Sequence, residues 1–481
     1  MAGVRSADDQ PGAAAPGLIF AAVSARSSSP SLPAPRVVAI TSELRLAYVL
    51  RHFWQTYPAA PRVTIGYGPA VGAVAVADGA GDFFAQARPY PAAPNWREWQ
   101  GQRIPFFFDS SPEKDLLTLG PETVLLNADI IAGAFYLLSG WQEYFSAERD
   151  RHGRFPYAAS VQQQYNFVTL PVVNYYFDVL KTAVEHVTGQ RLQPRTWGAN
   201  APFAAFITHD IDNLHSAWKA PAKAALQQRQ WRRFGQLVWQ HLTRPDAWNN
   251  LEAVAAGTAE YGAKSTFFLL PETRPGADGT PNADYNAQSV LPRLAALQEA
   301  LGAEISLHGS IGTATDAARL AREAEALQYA TAGLRFHYLR WEPRLTPAVV
   351  DAAQSFIYDS TLGFAEHFGF RNSYCLPFYP FNFATGSEHD FLEIPLNVMD
   401  ATLHHPNYLQ LRPEEMLPAL APMLAEVARF GGVATVLWHN ENFDPANETN
   451  GPHQFAELME YLQQQGAAFL TGREIWQQFP A

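Results

Sequence analysis

Cysteine is almost absent from this chain: Cys375 is the only one in 481 residues. A single thiol closes no disulfide within the chain and builds no cysteine-based zinc site. Basic residues are in deficit, with a net charge of −12. Neutralising nucleic-acid phosphates needs the opposite sign, so nucleic acid is not an expected partner. Long apolar runs are missing as well. The longest, such as Ile130 to Leu138, fall far short of the roughly 20 residues that cross a bilayer, so no integral membrane segment is expected. There is no phosphate-binding loop and no dinucleotide fingerprint. Ser310 sits in His308-Gly309-Ser310-Ile311-Gly312, which is not a Gly-x-Ser-x-Gly nucleophile elbow. No fixed-period repeat occurs.

What is present fits a globular protein with a sizeable core, since hydrophobic residues make up 47% and charged ones 17%. The length suggests two to three domains, or one large domain with insertions. Residues 1–35, rich in Ala, Ser and Pro, read as a disordered tail. Asp8 and Asp9 precede only the short apolar stretch Gly17 to Val23, so no secretory leader is expected and the cytoplasm is the default location.

Residues 36–195 read as a separate N-terminal α/β domain of unknown role. Strands are expected at Val37–Ile40, Arg62–Ile65 and Gly72–Val76. Ser42 suits the N-cap of a helix running through Tyr48 to Phe53. Asp129 to Tyr144 and Pro171 to Val187 read as helices. Gly189 to Ala201, punctuated by Gly189, Pro194 and Gly198, reads as a linker. From Pro202, strand-like runs alternate with helical ones. Strands are expected at Phe203–Thr208, Lys264–Leu269, Glu304–Leu307, Gly333–His337, Leu392–Leu396 and Val433–Trp438. Helices are expected at Pro292–Leu301, with Pro292 in the first turn, and at Thr315–Tyr329. Such alternation implies a mostly parallel sheet over 202–481, open or closed into a barrel, with chemistry at the C-terminal strand ends.

Polar residues gather at those ends. Asp210 and Asp212 follow the first strand and share a face if the chain stays extended. Close carboxylates repel unless a cation or a proton lies between them. An isolated Asp-x-Asp is more often a strand-end turn with Asp capping a following helix than a site. Arg335 and His337 share a face of the fourth strand, while His308 and His439 end the third and the last clear one. Several such groups on one rim of one sheet turn the reading towards a functional site.

The region from Phe203 to Phe443 resembles the polysaccharide deacetylase (NodB-homology) family of carbohydrate esterases. Thr208-His209-Asp210-Ile211-Asp212 resembles its first motif, and Lys264-Ser265-Thr266-Phe267-Phe268 is similar to the strand that follows. Leu307-His308-Gly309-Ser310 looks like the start of the histidine motif. Tyr358-Asp359-Ser360-Thr361 and Gly369-Phe370-Arg371 resemble the later aspartate motif, and Leu437-Trp438-His439 the final one. The region before it is similar to an uncharacterised α/β domain that precedes such hydrolases. The resemblance implies an α/β fold built on a distorted (β/α) barrel, and a metal-dependent hydrolase that removes N-acetyl groups from a sugar or polysaccharide. It implies Asp210 as general base, Asp212 and His308 as metal ligands, and Arg335 as the residue orienting Asp210. His439 would be the general acid, oriented by Asp359. The implied cofactor is a divalent metal, zinc first, with cobalt or nickel as alternatives.

One position departs from the pattern. Four residues after His308 the family places a second histidine, and here stands Gly312. His337 is the expected substitute, with His209, Ser310 or water as weaker ones. If none replaces it, a non-catalytic carbohydrate-binding protein is the alternative; a hydrolase of another amide or ester on this scaffold is a separate one. Trp341, Trp438, Phe378 and Tyr379 are candidate sugar-stacking residues, while the aromatic run Phe378 to Phe383 reads equally as a loop packed on the core. Lys223 to Arg244 is basic and amphipathic and reads as a surface helix packed on its own domain, or as a helix lying on an anionic membrane. The sequence leaves the oligomeric state open.

Overall fold

A computed structural model describes residues 37–68, 72–447 and 449–479; the expected N-terminal tail lies outside them. The architecture follows from two sheets and the helices that cover them. Before residue 195 lies a four-stranded sheet, ordered Ile65–Tyr67, Val74–Val76, Val124–Leu126, Leu117–Leu119, whose first three strands run parallel. Val37–Ile40 forms no strand; its residues alternate between exposed and half-buried, and the Val38 amide makes a single backbone bond to the Phe383 carbonyl at 2.9 Å. The following helix spans Ser42–Thr56, and Thr41 rather than Ser42 caps it: its Oγ1 accepts from the Leu44 amide at 3.3 Å. Its buried face, Arg45, Tyr48, Val49, His52, Phe53 and Thr56, has helical spacing.

The helix expected from Asp129 to Tyr144 is two helices, Ile130–Leu138 and Trp141–Phe145. Gly140 breaks it, in a left-handed conformation (φ +69°) that costs glycine little. Asp129 caps the first, its Oδ1 accepting from the Ala132 amide at 2.8 Å. A hairpin of Asn95–Trp99 and Gln102–Phe106, turning at Gln100-Gly101, went unread in the sequence; both turn residues have positive φ, as a two-residue hairpin loop requires.

The second sheet carries the site. Its strands are β1 (Ala204–Ile211), β2 (Thr266–Leu269), β3 (Glu304–Gly309), β4 (Gly333–Phe336), β5 (Tyr358–Asp359), β6 (Leu392–Glu393), β7 (Val398–Met399), β8 (Val433–Leu437) and β9 (Ala468–Phe469). The order is β6-β5-β4-β3-β2-β1-β8-β7, with β9 on the first half of β1, and every pair is parallel. The outermost strands, β6 and β7, are consecutive in sequence and joined only by residues 394–397. That link reaches at most about 18 Å. Eight strands in a flat sheet would part its edges by about 33 Å. The sheet must therefore curl round on itself into a barrel-like, all-parallel layer. β1 lies inside it, all eight of its residues buried, as both faces of a covered parallel sheet should be.

The helix Ala287–Leu301 begins five residues before Pro292, so the proline lies inside it rather than in its first turn. Asn286 caps this helix, its Oδ1 accepting from the Gln288 amide. The segment 189–201 is not a loose linker: Trp197 is fully buried and its Nε1 donates to the Gly431 carbonyl at 2.8 Å.

The described residues form one compact unit. Glu143 and Arg371 are both buried and meet in a two-pronged ion pair at 2.8 and 2.6 Å. Arg149 makes a second such pair with Glu342 at 2.7 and 2.9 Å. Removing one partner of a buried pair strands the other charge. Arg371→Met is expected to lower stability by about 3–5 kcal/mol, read from urea denaturation. A loss under about 1 kcal/mol, the worth of a surface pair, would show that Glu143 regains solvent instead.

Candidate functional site

The alternation of β1 sorts its polar residues into two sets. Thr208, Asp210 and Asp212 turn to the barrel interior, and His209 turns away from it. His209 is buried against Phe267, Phe443 and Phe455, and its Nδ1 pairs with the Trp438 carbonyl at 2.7 Å. It is therefore no substitute for a missing ligand. Ser310 is not one either, since its hydroxyl is bound to the Glu323 carboxylate.

Asp210 is held by Arg335. The guanidinium Nη1 donates to Asp210 Oδ1 at 2.9 Å and to Thr208 Oγ1 at 2.8 Å. Its other nitrogens donate to the Ser360 carbonyl and hydroxyl at 2.8 and 2.9 Å, and its plane lies over the Phe268 ring at 4.3 Å. A fully buried arginine is thus fixed on every side, with Asp210 as its anion. Asp210 Oδ2 faces His308 Nε2 at 3.6 Å.

Asp212 lies one step further out. Its Oδ1 is 3.4 Å from His308 Nε2 and 3.4 Å from His337 Nε2. One ligand atom from each of Asp212, His308 and His337 lies within 4.8 Å of the others. His308 Nδ1 is spent on the Arg335 carbonyl at 2.9 Å, which leaves Nε2 facing the cluster; His337 Nδ1 faces Asn282 Oδ1 at 3.4 Å. This is how metal-binding imidazoles are oriented, by a partner on the far nitrogen. Asp212 Oδ1 is buried without a hydrogen-bond partner, which suits an oxygen that a cation would satisfy. Burial opposes the charge on Asp212, but His337 and His308 outweigh it and hold its carboxyl well below the usual range. The donor set, one carboxylate and two imidazoles, fits a divalent ion with open positions.

His337 reaches the cluster through strained backbone. β4 ends at Phe336, and Tyr338 and Leu339 take φ of +60° and +51°. Positive φ is unfavourable for such residues, about 1–3 kcal/mol each. Arg154 Nη1 donates to the Tyr338 carbonyl at 3.0 Å and braces the turn. Gly312 supplies no ligand for a matching reason: its φ is +97°, and a Cβ there would meet Arg319 Nη1 at 2.7 Å.

His439 follows β8. Its Nδ1 pairs with Asp400 Oδ1 at 2.7 Å, and its amide donates to Asp400 Oδ2, also at 2.7 Å. Its Nε2 points back to Asp212 Oδ2 at 3.9 Å. Burial disfavours the imidazolium, but Asp400 outweighs burial and lifts the ring well above its ordinary pKa. Asp359 does not hold His439. Its carboxylate folds back to accept from the Thr361 amide and hydroxyl at 2.8 and 3.0 Å, beside the buried Glu393. The Tyr358–Thr361 segment braces Arg335 instead, through Ser360. Asp400 went unread because β7, the strand that delivers it, is only two residues long.

A cavity of about 410 Å³ opens over these groups, lined by Asp210, Asp212, His308, His337, His439 and Glu441. Burial pushes the Glu441 carboxyl up to about 7. Arg151, His152, Tyr338, His405 and Tyr408 form its outer wall. Arg151 and His152 come from the region before residue 195, and the His152 ring stacks on Tyr338 at 4.9 Å. None of the four aromatic residues expected to stack on sugar lines this cavity. Trp341 and Phe378 are buried against the N-terminal helices, around Leu138 and Tyr144. Tyr379 is buried under Arg51, whose guanidinium lies 5.2 Å from its ring. Trp438 stands between the inward residues Leu437 and His439, so alternation turns it outward onto Phe455.

Residues 40–189 match a family model described as a family of unknown function, DUF7033. No curated protein matches the sequence. Solved structures resemble the fold at low identity. One, described as a polysaccharide deacetylase from Mycobacterium smegmatis, is 15% identical with a TM-score of 0.38, covering 60% of this chain and 93% of its own. Another, described as a polysaccharide deacetylase from Pseudomonas aeruginosa PAO1, is 14% identical with a TM-score of 0.38, over 59% and 92%. The PuuE allantoinase is 12% identical with a TM-score of 0.37, over 60% and 93%.

If Asp212, His308 and His337 hold a divalent ion together, each is needed. Asp212→Asn, His308→Ala and His337→Ala should each leave the purified protein folded but metal-depleted in elemental analysis. Full metal content in the His337 variant would reduce the site to two protein ligands.

Proposed function

We propose that this protein is a metal-dependent hydrolase that removes acetyl groups from an N-acetylated sugar. The observation that supports it best is the meeting of three kinds of group in one cavity. They are an Asp–His–His donor set, an arginine-held carboxylate, and a carboxylate-held imidazole. Amide hydrolysis needs all three functions: an electrophile for the carbonyl, a base for water, and an acid for the leaving nitrogen. The sugar substrate rests on the resemblance of the ordered motifs to polysaccharide deacetylases.

Asp212, His308 and His337 would hold the metal. What a divalent ion supplies when bound there is Lewis acidity, towards an amide carbonyl and towards water. Asp210 is the base. Arg335 keeps its Oδ1 occupied, so Oδ2 is the oxygen free to take a proton from water in the cavity. Arg335 is itself too enclosed to move, which keeps Asp210 aimed. His439 is the acid. Asp400 holds its Nδ1–H and favours the imidazolium, so Nε2 carries a proton into the cavity for the departing amine. Asp400 thus takes the positioning part that the resemblance gave to Asp359. Tyr338 and Tyr408 are the aromatic residues on the cavity wall, and sugar stacking would fall to them.

The test is release of acetate from N-acetylhexosamine oligomers, run beside simple acetate esters and cyclic amides. Metal-loaded protein should release acetate from the sugars fastest. Asp210→Asn and His439→Ala should retain metal yet lose roughly two to four orders of magnitude in kcat. Asp400→Asn should fall less steeply, because the ring remains. Turnover of only esters or cyclic amides would move the substrate to another class on the same groups. Losses under about tenfold in both catalytic variants would place proton transfer elsewhere.

A further inference from the structure

The segment after Asp212 does something the site does not need. Two helices, Lys219–Gln227 and Trp231–Thr243, leave the rim as a hairpin. No residue of the second is fully buried, but Phe234, Leu237, Val238 and His241 are half-buried and the helix packs on the first, in line with a surface helix packed on its own domain. It leans on the first hairpin limb and its approach, where His241 stacks on Trp218 at 4.5 Å. Trp231 is 64% exposed, Trp239 58%, Leu242 75%, and Leu226 on the first helix 45%. These are four of the nine exposed large hydrophobic residues among those described. The four gather on one short hairpin, and such a gathering is not ordinary surface.

Helical geometry orders them. From Trp231, Leu242 lies about 20° and Trp239 about 80° round the axis. They form a strip between the side that leans on the first helix and the polar side of Arg232, Arg233, Gln236 and Gln240. The charge is as one-sided as the shape. Between Asp212 and Asp246 there is no acidic residue but six basic ones: Lys219, Lys223, Arg229, Arg232, Arg233 and Arg244. All six are exposed, and none makes an ion pair among the described residues. This stands out in a chain of net charge −12.

We propose that this hairpin docks the protein onto an anionic lipid surface. Tryptophans bordering a cationic face match the headgroup boundary, where the ring sits among acyl carbons and the guanidinium meets phosphate. A second copy of the chain is the poorer occupant, because a two-fold contact would set this cationic face against itself. The hairpin's base is tied to the rim. Asp284 accepts from the Leu214 and His215 amides at 2.7 and 3.0 Å, and Asp246 Oδ1 accepts from the Ala217 and Trp248 amides at 3.2 and 3.1 Å. Docking would therefore bring the cavity mouth near the bilayer, whatever reaction the cavity performs.

The experiment is flotation of the full-length protein with vesicles of phosphatidylcholine, alone or with about one-third phosphatidylglycerol. Binding should require the anionic lipid and weaken as salt rises. Arg232→Gln with Arg233→Gln should lower partitioning about thirtyfold. Trp231→Ala with Trp239→Ala should lower it at least tenfold at unchanged far-ultraviolet dichroism. Because Trp231, Arg232, Arg233 and Trp239 are all exposed, both variants should fold. Absence of binding, equal binding to zwitterionic vesicles, or binding indifferent to both double variants would each overturn the proposal. So would salt-insensitive self-association in sedimentation that the tryptophan variant abolishes, which would give the face to a second copy.

Discussion

Two carboxylates on one strand end, Asp210 and Asp212, set the terms for the whole rim. Asp210 is buried, Asp212 just past the strand is a quarter exposed to the cavity, and alternation points both inward. Two like charges so close are unstable without positive charge on each. The barrel supplies it from its next strands, in register. Arg335 and His308 are direct partners across β3 and β4, so their side chains rise from one level of the sheet. Arg335 neutralises the deeper carboxylate and His308, with His337, faces the outer one. The deeper charge is fixed by a guanidinium that cannot lose its proton; the outer one is left to titratable imidazoles, which a metal ion can engage. The two carboxylates are thus held by different kinds of partner.

Much of this was legible because strand period and residue type carry it. The inward set of Thr208, Asp210 and Asp212, and the placement of His308, Arg335 and His439 at strand ends, follow from alternation along runs long enough to show it. Where the strands are two residues long, the signal fails. β7 holds only Val398 and Met399, too short to read, so Asp400 was missed and Asp359 was given its part. Trp438 was misread for another reason: being next to a site residue in a strand places a side chain on the opposite face. Phe378 and Tyr379 looked like a platform by composition, but composition does not distinguish a sugar face from a packed interface. Their neighbours Tyr48 and Arg51 come from a helix more than 300 residues earlier.

The region before residue 195 has its own sheet, yet it also shapes the cavity. Arg151 and His152 stand in the outer wall, and Arg154 holds the Tyr338 carbonyl. The ion pairs of Glu143 with Arg371 and Arg149 with Glu342 fix that segment against the barrel. Each pair joins residues some 200 positions apart, a reach that local sequence patterns do not encode.

The strain after His337 joins these observations. A histidine in a continuing strand would project at the pitch of β4 and keep the level its neighbours set. Instead the chain turns at once, through two non-glycine residues at positive φ, and this places His337, Tyr338 and Leu339 all on the cavity wall. Strain of this kind persists only where surrounding contacts over-determine it. Here they come from both sides: the Arg154 guanidinium on the Tyr338 carbonyl, and His152 stacked on the Tyr338 ring. Arg154 is in turn fixed by Asp150, at 2.7 Å from its Nε. The imidazole that stands where Gly312 cannot provide one is therefore positioned by a turn that the N-terminal region clamps. A chain that kept the barrel and lost Arg154 and His152 would retain every donor atom of the cluster while losing the contacts that hold one of the three in place.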